Sequence, residues 1–217
     1  MTTGDLKRQQ IGFLCLALVL VISMHALPAW LGAMAVHFKW QLVDVIGRAN
    51  FEPLILLLFS IILVCHDPAG YGIRLGDGMR HKWPWVLLIC VFPIVATAIC
   101  YPLLPSKPFS GAPLSTWLIC PPAEDLLFAG YLYHGFSVHF PGKVSERFPA
   151  NRCIFFTAAY FSLAHVPNIT WIGPFIWFQL VYTFFGACLV GVIRQWTGSM
   201  VYITIVHMAV NCIAVYS

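Results

Sequence analysis

Long apolar runs, interrupted by proline, glycine or charged residues, fill most of the chain. They cover residues 10–36, 51–65, 84–104, 122–140, 152–166, 171–193 and 199–216. A helix that crosses a bilayer needs about 20 predominantly apolar residues. The pattern therefore predicts an all-α, multi-pass transmembrane bundle of seven helices, formed as a single domain by residues 1–217. The count rises to eight if the first run breaks at Pro28 or if the amphipathic stretch 38–50 forms an interfacial helix.

The composition identifies lipid as the main solvent of this chain. Of its 217 residues, 60% are hydrophobic and only 9% are charged, whereas soluble domains carry about 25% charged residues. The net charge of +4 comes from basic residues that are scattered between the apolar runs. Because they form no basic patch, nucleic acid is excluded as a partner and the lipid bilayer is expected instead. The first run is also too long for the core of a cleavable signal peptide.

The distribution of Lys and Arg predicts the orientation in the membrane. With the N-terminus in the cytoplasm, nine of the 12 basic residues fall on the cytoplasmic side. The three on the other side are Lys39, Arg48 and Lys107. Cytoplasmic loops carry an excess of Lys and Arg. We therefore expect a protein of the cell membrane with a cytoplasmic N-terminus and a C-terminus outside.

Two adjacent acidic residues, Glu124 and Asp125, lie within an apolar run. Ionisable side chains at membrane depth cost several kcal/mol and mark functional sites by default. Pro121 and Pro122 favour the first turn of a helix, which places Glu124 in that turn. Free backbone N–H groups there favour the carboxylate, while apolar surroundings favour the neutral acid. A carboxyl group that is subject to both influences is suited to act as a general base.

Three further polar residues are candidates for the same chemistry. His165 precedes Pro167, which is expected to end a helix. His207 and Asn211 are four residues apart and therefore share one helical face. An imidazole and a carboxamide on one face can together donate hydrogen bonds to an oxyanion.

The predicted topology places all four candidates at one depth. Glu124 follows an outer loop, His165 lies at the outer end of its helix, and His207 and Asn211 occupy the middle and outer parts of the last helix. Helix packing alone is the alternative explanation for each of them. Three other histidines are interpreted as packing or interfacial residues: His25, His134 and His139.

At these residues the sequence resembles the CAAX protease and bacteriocin-processing family of intramembrane endopeptidases, also called the CPBP or Abi family. That family carries the motifs EExxxR, FxxxH and HxxxN or HxxxB. They occur here in order at Glu124-Asp125 through Ala129, at Phe161 to His165, and at His207 to Asn211. The resemblance covers about residues 118–215, the motif core of the chain.

The resemblance implies a glutamic-type peptide hydrolase that uses neither a metal nor another cofactor. Glu124 and His165 would activate a water molecule for attack on a peptide carbonyl. His207 and Asn211 would stabilise the oxyanion that forms. Phe161 and Asp125 would support this site.

Two positions depart from the first motif. The second acid is Asp125 in place of Glu, and Ala129 stands where the family has Arg. That Arg would lie four residues after the second acid, at ion-pair spacing on one helical face. Without it, we predict that Asp125 is either protonated or paired with another helix. The small Ala129 side chain is also expected to leave a recess.

The expected substrate is a membrane-associated or exported peptide or protein, cut near the outer face during maturation or removal of a C-terminal anchor. The alternative is a catalytically inactive pseudoprotease that acts as a membrane scaffold or regulator, which Ala129 would explain. Zinc bound by Glu124, His165 and His207 ranks lower because the chain has no HExxH helix. A transporter is disfavoured because paired broken helices in two similar halves are missing. The sequence leaves the cleavage site and the oligomeric state open.

Overall fold

A computed structural model describes residues 3–38, 48–75, 82–103, 110–145 and 150–217. Within these ranges the backbone is helical, and its only β interaction is an isolated bridge between Lys143 and Asn151. The all-α membrane bundle predicted from the sequence is therefore confirmed.

The described helices follow the apolar runs. The first half of the chain contains α1 (Thr3–His37), α2 (Arg48–Val64) and α3 (Trp83–Cys100), followed by a 3₁₀ turn, Tyr101–Leu103. The second half contains α4 (Ser115–Leu118), α5 (Cys120–Asp125), a π-helical segment π1 (Leu126–Leu132), α6 (Tyr133–His139), α7 (Arg152–Ala164), α8 (Ile169–Ile172), α9 (Ile176–Thr197) and α10 (Val201–Tyr216).

Three described helical segments are long and apolar enough to cross a membrane: Gly4–His37, Trp83–Leu103 and Gly173–Thr197. Two shorter apolar helices accompany them, Phe51–Val64 and Val201–Tyr216. The orientation of the termini stays a prediction.

Helix α1 continues without interruption through Pro28, so the proposed break at this residue is wrong. Proline removes one backbone hydrogen bond, but in an apolar medium the remaining N–H and C=O groups have no water to bond, and the helix is retained. The other source of an eighth helix, the stretch 38–50, falls largely on residues 39–47, which lie outside the described residues.

The segment formed by α5, π1 and α6 lies at the centre of the bundle. Helix α2 packs against α5 and π1, α7 packs against α6 and π1, and α10 packs against α4 and α5. Leu127, Leu132 and Phe136 on the central segment are fully buried. The two adjacent acids therefore sit on a segment that neighbouring helices enclose.

The start of this segment differs slightly from the prediction. Pro121 and Pro122 do lie in the first turn of α5, but the helix begins at Cys120 and Glu124 is its fifth residue, beyond the first turn. The reason is that Ile119 already has α-helical dihedral angles and accepts a hydrogen bond from the Ala123 N–H at 3.2 Å. The chain thus enters α5 already coiled.

Candidate active site

A cavity of about 470 Å³ lies between α5, π1, α7, α9 and α10. Every site residue predicted from the sequence lines it: Glu124, Asp125, Ala129, Phe161, His165, His207 and Asn211. These residues are separated by up to 87 positions in the chain, and the fold brings them to one enclosed space. Their roles in the reaction stay predictions.

The two acids converge on the imidazole of His207. Asp125 Oδ1 lies 3.2 Å from His207 Nδ1, and Glu124 Oε2 lies 3.8 Å from His207 Nε2. The Asp125 side chain is only 7% exposed. A separation of 3.8 Å exceeds a hydrogen bond, so only Asp125 holds the ring directly. Of the two predicted alternatives, a protonated Asp125 or one paired with another helix, the structure shows the pairing, with His207 of α10.

His165 caps the end of α7, directly after Ala164. Its Nδ1 lies 2.8 Å from the Phe161 carbonyl oxygen, so Nδ1–H donates to that oxygen and Nε2 is left as an acceptor. Pro167 lies in the 3₁₀ turn that follows and ends the helix as predicted.

The Phe161 ring contacts both imidazoles. Its centroid is 4.8 Å from that of His165 and 6.0 Å from that of His207, edge-to-face in both cases. Edge-to-face contacts of this kind favour one ring orientation. Phe161 therefore helps to orient both histidines.

Asn211 lies one turn after His207 on α10 and is tied to α4. Its Nδ2 donates a hydrogen bond of 3.1 Å to the Thr116 carbonyl oxygen. Since a carboxamide carries two N–H donors, one remains for a ligand. The contact holds the amide at a fixed position in the cavity wall.

Ala129 lies in the middle of π1 and is 8% exposed. It borders the cavity, as the predicted recess requires. Its carbonyl oxygen accepts a hydrogen bond of 3.2 Å from Nε of Arg194, a residue of α9 that also lines the cavity. From the sequence, Arg194 was expected only to contribute to membrane orientation, and its contact with Ala129 was not predicted.

The three histidines that were predicted to be packing or interfacial residues do pack against neighbours, and one of them also reaches the cavity. His139 stacks on Phe13 at 4.7 Å, and His134 contacts the ring of Tyr71. His25 of α1 is hydrogen-bonded through Nε2 to the Ala164 carbonyl oxygen and lines the cavity. It thus supports the end of α7 from which His165 projects.

Two polar residues of α9, Gln179 and Thr183, were also missed. Both are buried and line the cavity, and Asn168 donates to Gln179 Oε1 at 3.2 Å. Their spacing of four residues within an apolar run was a signal that a polar face points inward.

A zinc site would need several His, Cys, Asp or Glu side chains close together. In the described ranges, no group of three or more His, Cys, Asp or Glu side chains is arranged to hold a metal ion. Zinc therefore has no support from this geometry, and its presence or absence stays a prediction.

A family model described as type II CAAX prenyl endopeptidase Rce1-like matches residues 107–213, a stretch that contains all three motifs. The match confirms that the chain resembles the CAAX protease and bacteriocin-processing family. This is a family of membrane-embedded peptide hydrolases, and the CPBP motifs of this chain lie on α5 and π1, at the end of α7 and on α10. Comparisons with curated proteins and with solved structures give no match.

Proposed function

We propose that this protein is an intramembrane endopeptidase of the glutamic type, which crosses the cell membrane several times. Its substrate is a peptide bond in a membrane-associated or exported peptide or protein. One observation carries the proposal: two carboxylates, two imidazoles and a carboxamide from separate helices line a single cavity inside a CPBP-family bundle.

In the proposed reaction, Glu124 acts as the general base. A water molecule donates one hydrogen bond to its carboxylate and another to Nε2 of His165. Glu124 takes a proton as the water oxygen forms a bond to the peptide carbonyl carbon. Positioned proton transfer of this kind is worth about 10²- to 10⁴-fold in rate.

His207 and Asn211 stabilise the negative charge on the former carbonyl oxygen. Asp125 accepts Nδ1–H of His207, so His207 acts as the imidazolium, which donates Nε2–H to the oxyanion, and Asn211 donates its second amide hydrogen. Glu124 then passes its proton to the amide nitrogen and the C–N bond breaks. The products are a carboxylic acid and an amine, and no covalent enzyme intermediate forms.

The experiment compares membrane proteins in cells that express the parent chain, Glu124→Gln and Glu52→Gln. Glu52 is the matched control, an acid within helix α2 that does not line the cavity. We expect a membrane protein that shortens with the parent and with Glu52→Gln but keeps its full length with Glu124→Gln. Equal cleavage by the parent and Glu124→Gln rules out the glutamic mechanism.

We propose further that cleavage occurs near the outer face, in maturation or removal of a C-terminal anchor. Support comes from the distribution of Lys and Arg, which puts the C-terminus of α10 outside. Fusion of a periplasmic activity reporter to Ser217 tests this orientation. An inactive reporter there, together with an active one at the N-terminus, reverses the proposed side of cleavage.

The second candidate function is a pseudoprotease that binds and regulates a membrane partner, and the absence of Arg at position 129 favours it. The parent chain and Glu124→Gln distinguish the two functions. A pseudoprotease releases no fragment from any membrane protein, and its effect on the partner is the same in both chains.

A further inference from the structure

Arg194 is a buried cation near the C-terminal end of α9. Only 6% of its surface is exposed, and among the described residues no carboxylate forms an ion pair with it. A buried charge is costly unless hydrogen bonds compensate for its lost hydration. Hydrogen bonds from the guanidinium must therefore offset the cost of burying Arg194.

These bonds connect three separate parts of the bundle. Nε donates to the Ala129 carbonyl oxygen at 3.2 Å, and Nη2 donates to the Gly70 carbonyl oxygen at 3.1 Å. The guanidinium carbon lies 5.4 Å from the centroid of the Tyr133 ring. Arg194 thus joins α9 to π1, to the first residue of α6, and to the loop after α2.

The loop after α2 is shaped around this guanidinium. Gly72 has a φ of 87°, which favours glycine, and a Cβ at this position would collide with the guanidinium of Arg194. The Gly72 carbonyl oxygen also accepts a hydrogen bond of 2.9 Å from the Met200 N–H, which ties this loop to the residue before α10. A side chain at position 72 would therefore displace the guanidinium of Arg194.

The contact at Ala129 matters because of where π1 begins. This segment of i→i+5 hydrogen bonds starts immediately after Asp125. A π-helical turn holds more residues than an α-helical turn, so it rotates the side chains before it relative to those after it. The conformation of π1 therefore sets the direction in which Glu124 and Asp125 point toward His207.

We propose that Arg194 is a positioning residue for this site, which holds π1 from α9 and takes the place of the arginine missing at position 129. Ala129 packs in the same buried cluster as Ile193, the neighbour of Arg194, and both Ala129 and Arg194 line the cavity. The proposal requires that a guanidinium carried by either position occupy this space, which the double variant below tests. The inference rests on the proposed protease function and adds the residue that orients its acids.

The experiment moves the arginine from one helix to the other. Four variants are compared with the parent: Arg194→Gln, Arg194→Lys, Ala129→Arg, and the double variant Ala129→Arg with Arg194→Ala. The assay measures kcat and KM on the substrate found by the size-shift experiment. Melting temperature and elution volume in detergent report folding.

We expect Arg194→Gln to lower kcat by roughly 10- to 100-fold with little change in KM, as for residues that orient catalytic ligands. Arg194→Lys keeps the charge but cannot donate to two carbonyl groups in the planar arrangement, so it is intermediate. Ala129→Arg alone lowers kcat because two cations compete for one place. The double variant recovers kcat to within about five-fold of the parent.

Two results overturn the proposal: an unchanged kcat in Arg194→Gln, or a double variant no more active than Arg194→Gln. Failure of the proposed protease function gives a different result, because the parent and Glu124→Gln are then equally active. Hydrogen exchange still tests Arg194 in that case. The amides of residues 126–133 should exchange faster in Arg194→Gln than in the parent, while those of α1 are unchanged, and equal exchange in π1 refutes the role.

Discussion

Asp125 offers a test in which activity and stability should change in opposite directions. Its Oδ1 lies 3.2 Å from His207 Nδ1, whereas its Oδ2 is buried and has no hydrogen-bond partner among the described residues. A carboxylate with half of its hydrogen-bonding capacity unused is destabilising in an apolar interior. We therefore expect this charge to serve the orientation of His207 at a cost in folding free energy.

The magnitude follows from the bond that is lost. A hydrogen bond to a charged group contributes about 1.5–3 kcal/mol and a neutral one about 0.5–1.5 kcal/mol. Asp125→Ala removes the bond and should lower kcat roughly 10- to 150-fold. Asp125→Asn keeps an acceptor without the charge, so its decrease in kcat should be roughly 5- to 15-fold. Thermal stability should be equal or higher in Asp125→Asn.

The assay combines kcat on the identified substrate with the melting temperature in the same detergent. Asp5→Asn is the matched control, because Asp5 is exposed in the first turn of α1 and does not line the cavity. It should leave kcat unchanged. The proposed role of the Asp125 charge is refuted if Asp125→Asn has the parent's kcat, or if its melting temperature falls in parallel with kcat.

Three further changes test other contacts of the cavity. Asn211→Ala removes an oxyanion donor and frees the Thr116 carbonyl oxygen, so kcat should fall about 10²- to 10³-fold at nearly constant KM, measured by steady-state kinetics. His25→Leu leaves the Ala164 carbonyl oxygen without its donor, which should lower both the melting temperature and kcat; an unchanged melting temperature contradicts the bond. Thr157 lines the cavity and its Oγ1 has no partner in the described part of the chain, so Thr157→Val should raise stability by about 1 kcal/mol in thermal unfolding. If KM also rises, the hydroxyl binds the substrate.

The sequence predicted the parts of this structure that depend on local pattern. The seven apolar runs form helical regions because lipid offers no hydrogen-bond partner to the backbone N–H and C=O groups, which must bond to one another. The pairing of Asp125 with another helix was one of two alternatives that the sequence predicted, since Ala129 left that acid without an intrahelical partner. Spacing placed His207 and Asn211 on one face, and both line the cavity.

The remaining features depend on packing between distant segments. The hydrogen bonds of Arg194 to Ala129 and of His25 to Ala164 join residues 65 and 139 positions apart, and no local spacing indicates such pairs. The segment π1 was not predicted because a run of apolar residues carries no local signal that distinguishes i→i+5 from i→i+4 hydrogen bonding. The start of α5 was displaced because a preceding turn had already coiled the chain.

The length of the cavity bears on how much of a substrate can enter it. Its lining follows α9 from Phe178 to Arg194, which is about 24 Å of helix at 1.5 Å per residue. The hydrocarbon core of a bilayer is about 30 Å thick, so the cavity borders α9 over most of the depth that such a helix crosses. Under the proposed function, a substrate segment beside α9 therefore contacts the cavity wall over several helical turns. Substitutions several residues away from the bond that is cut should change the rate of cleavage.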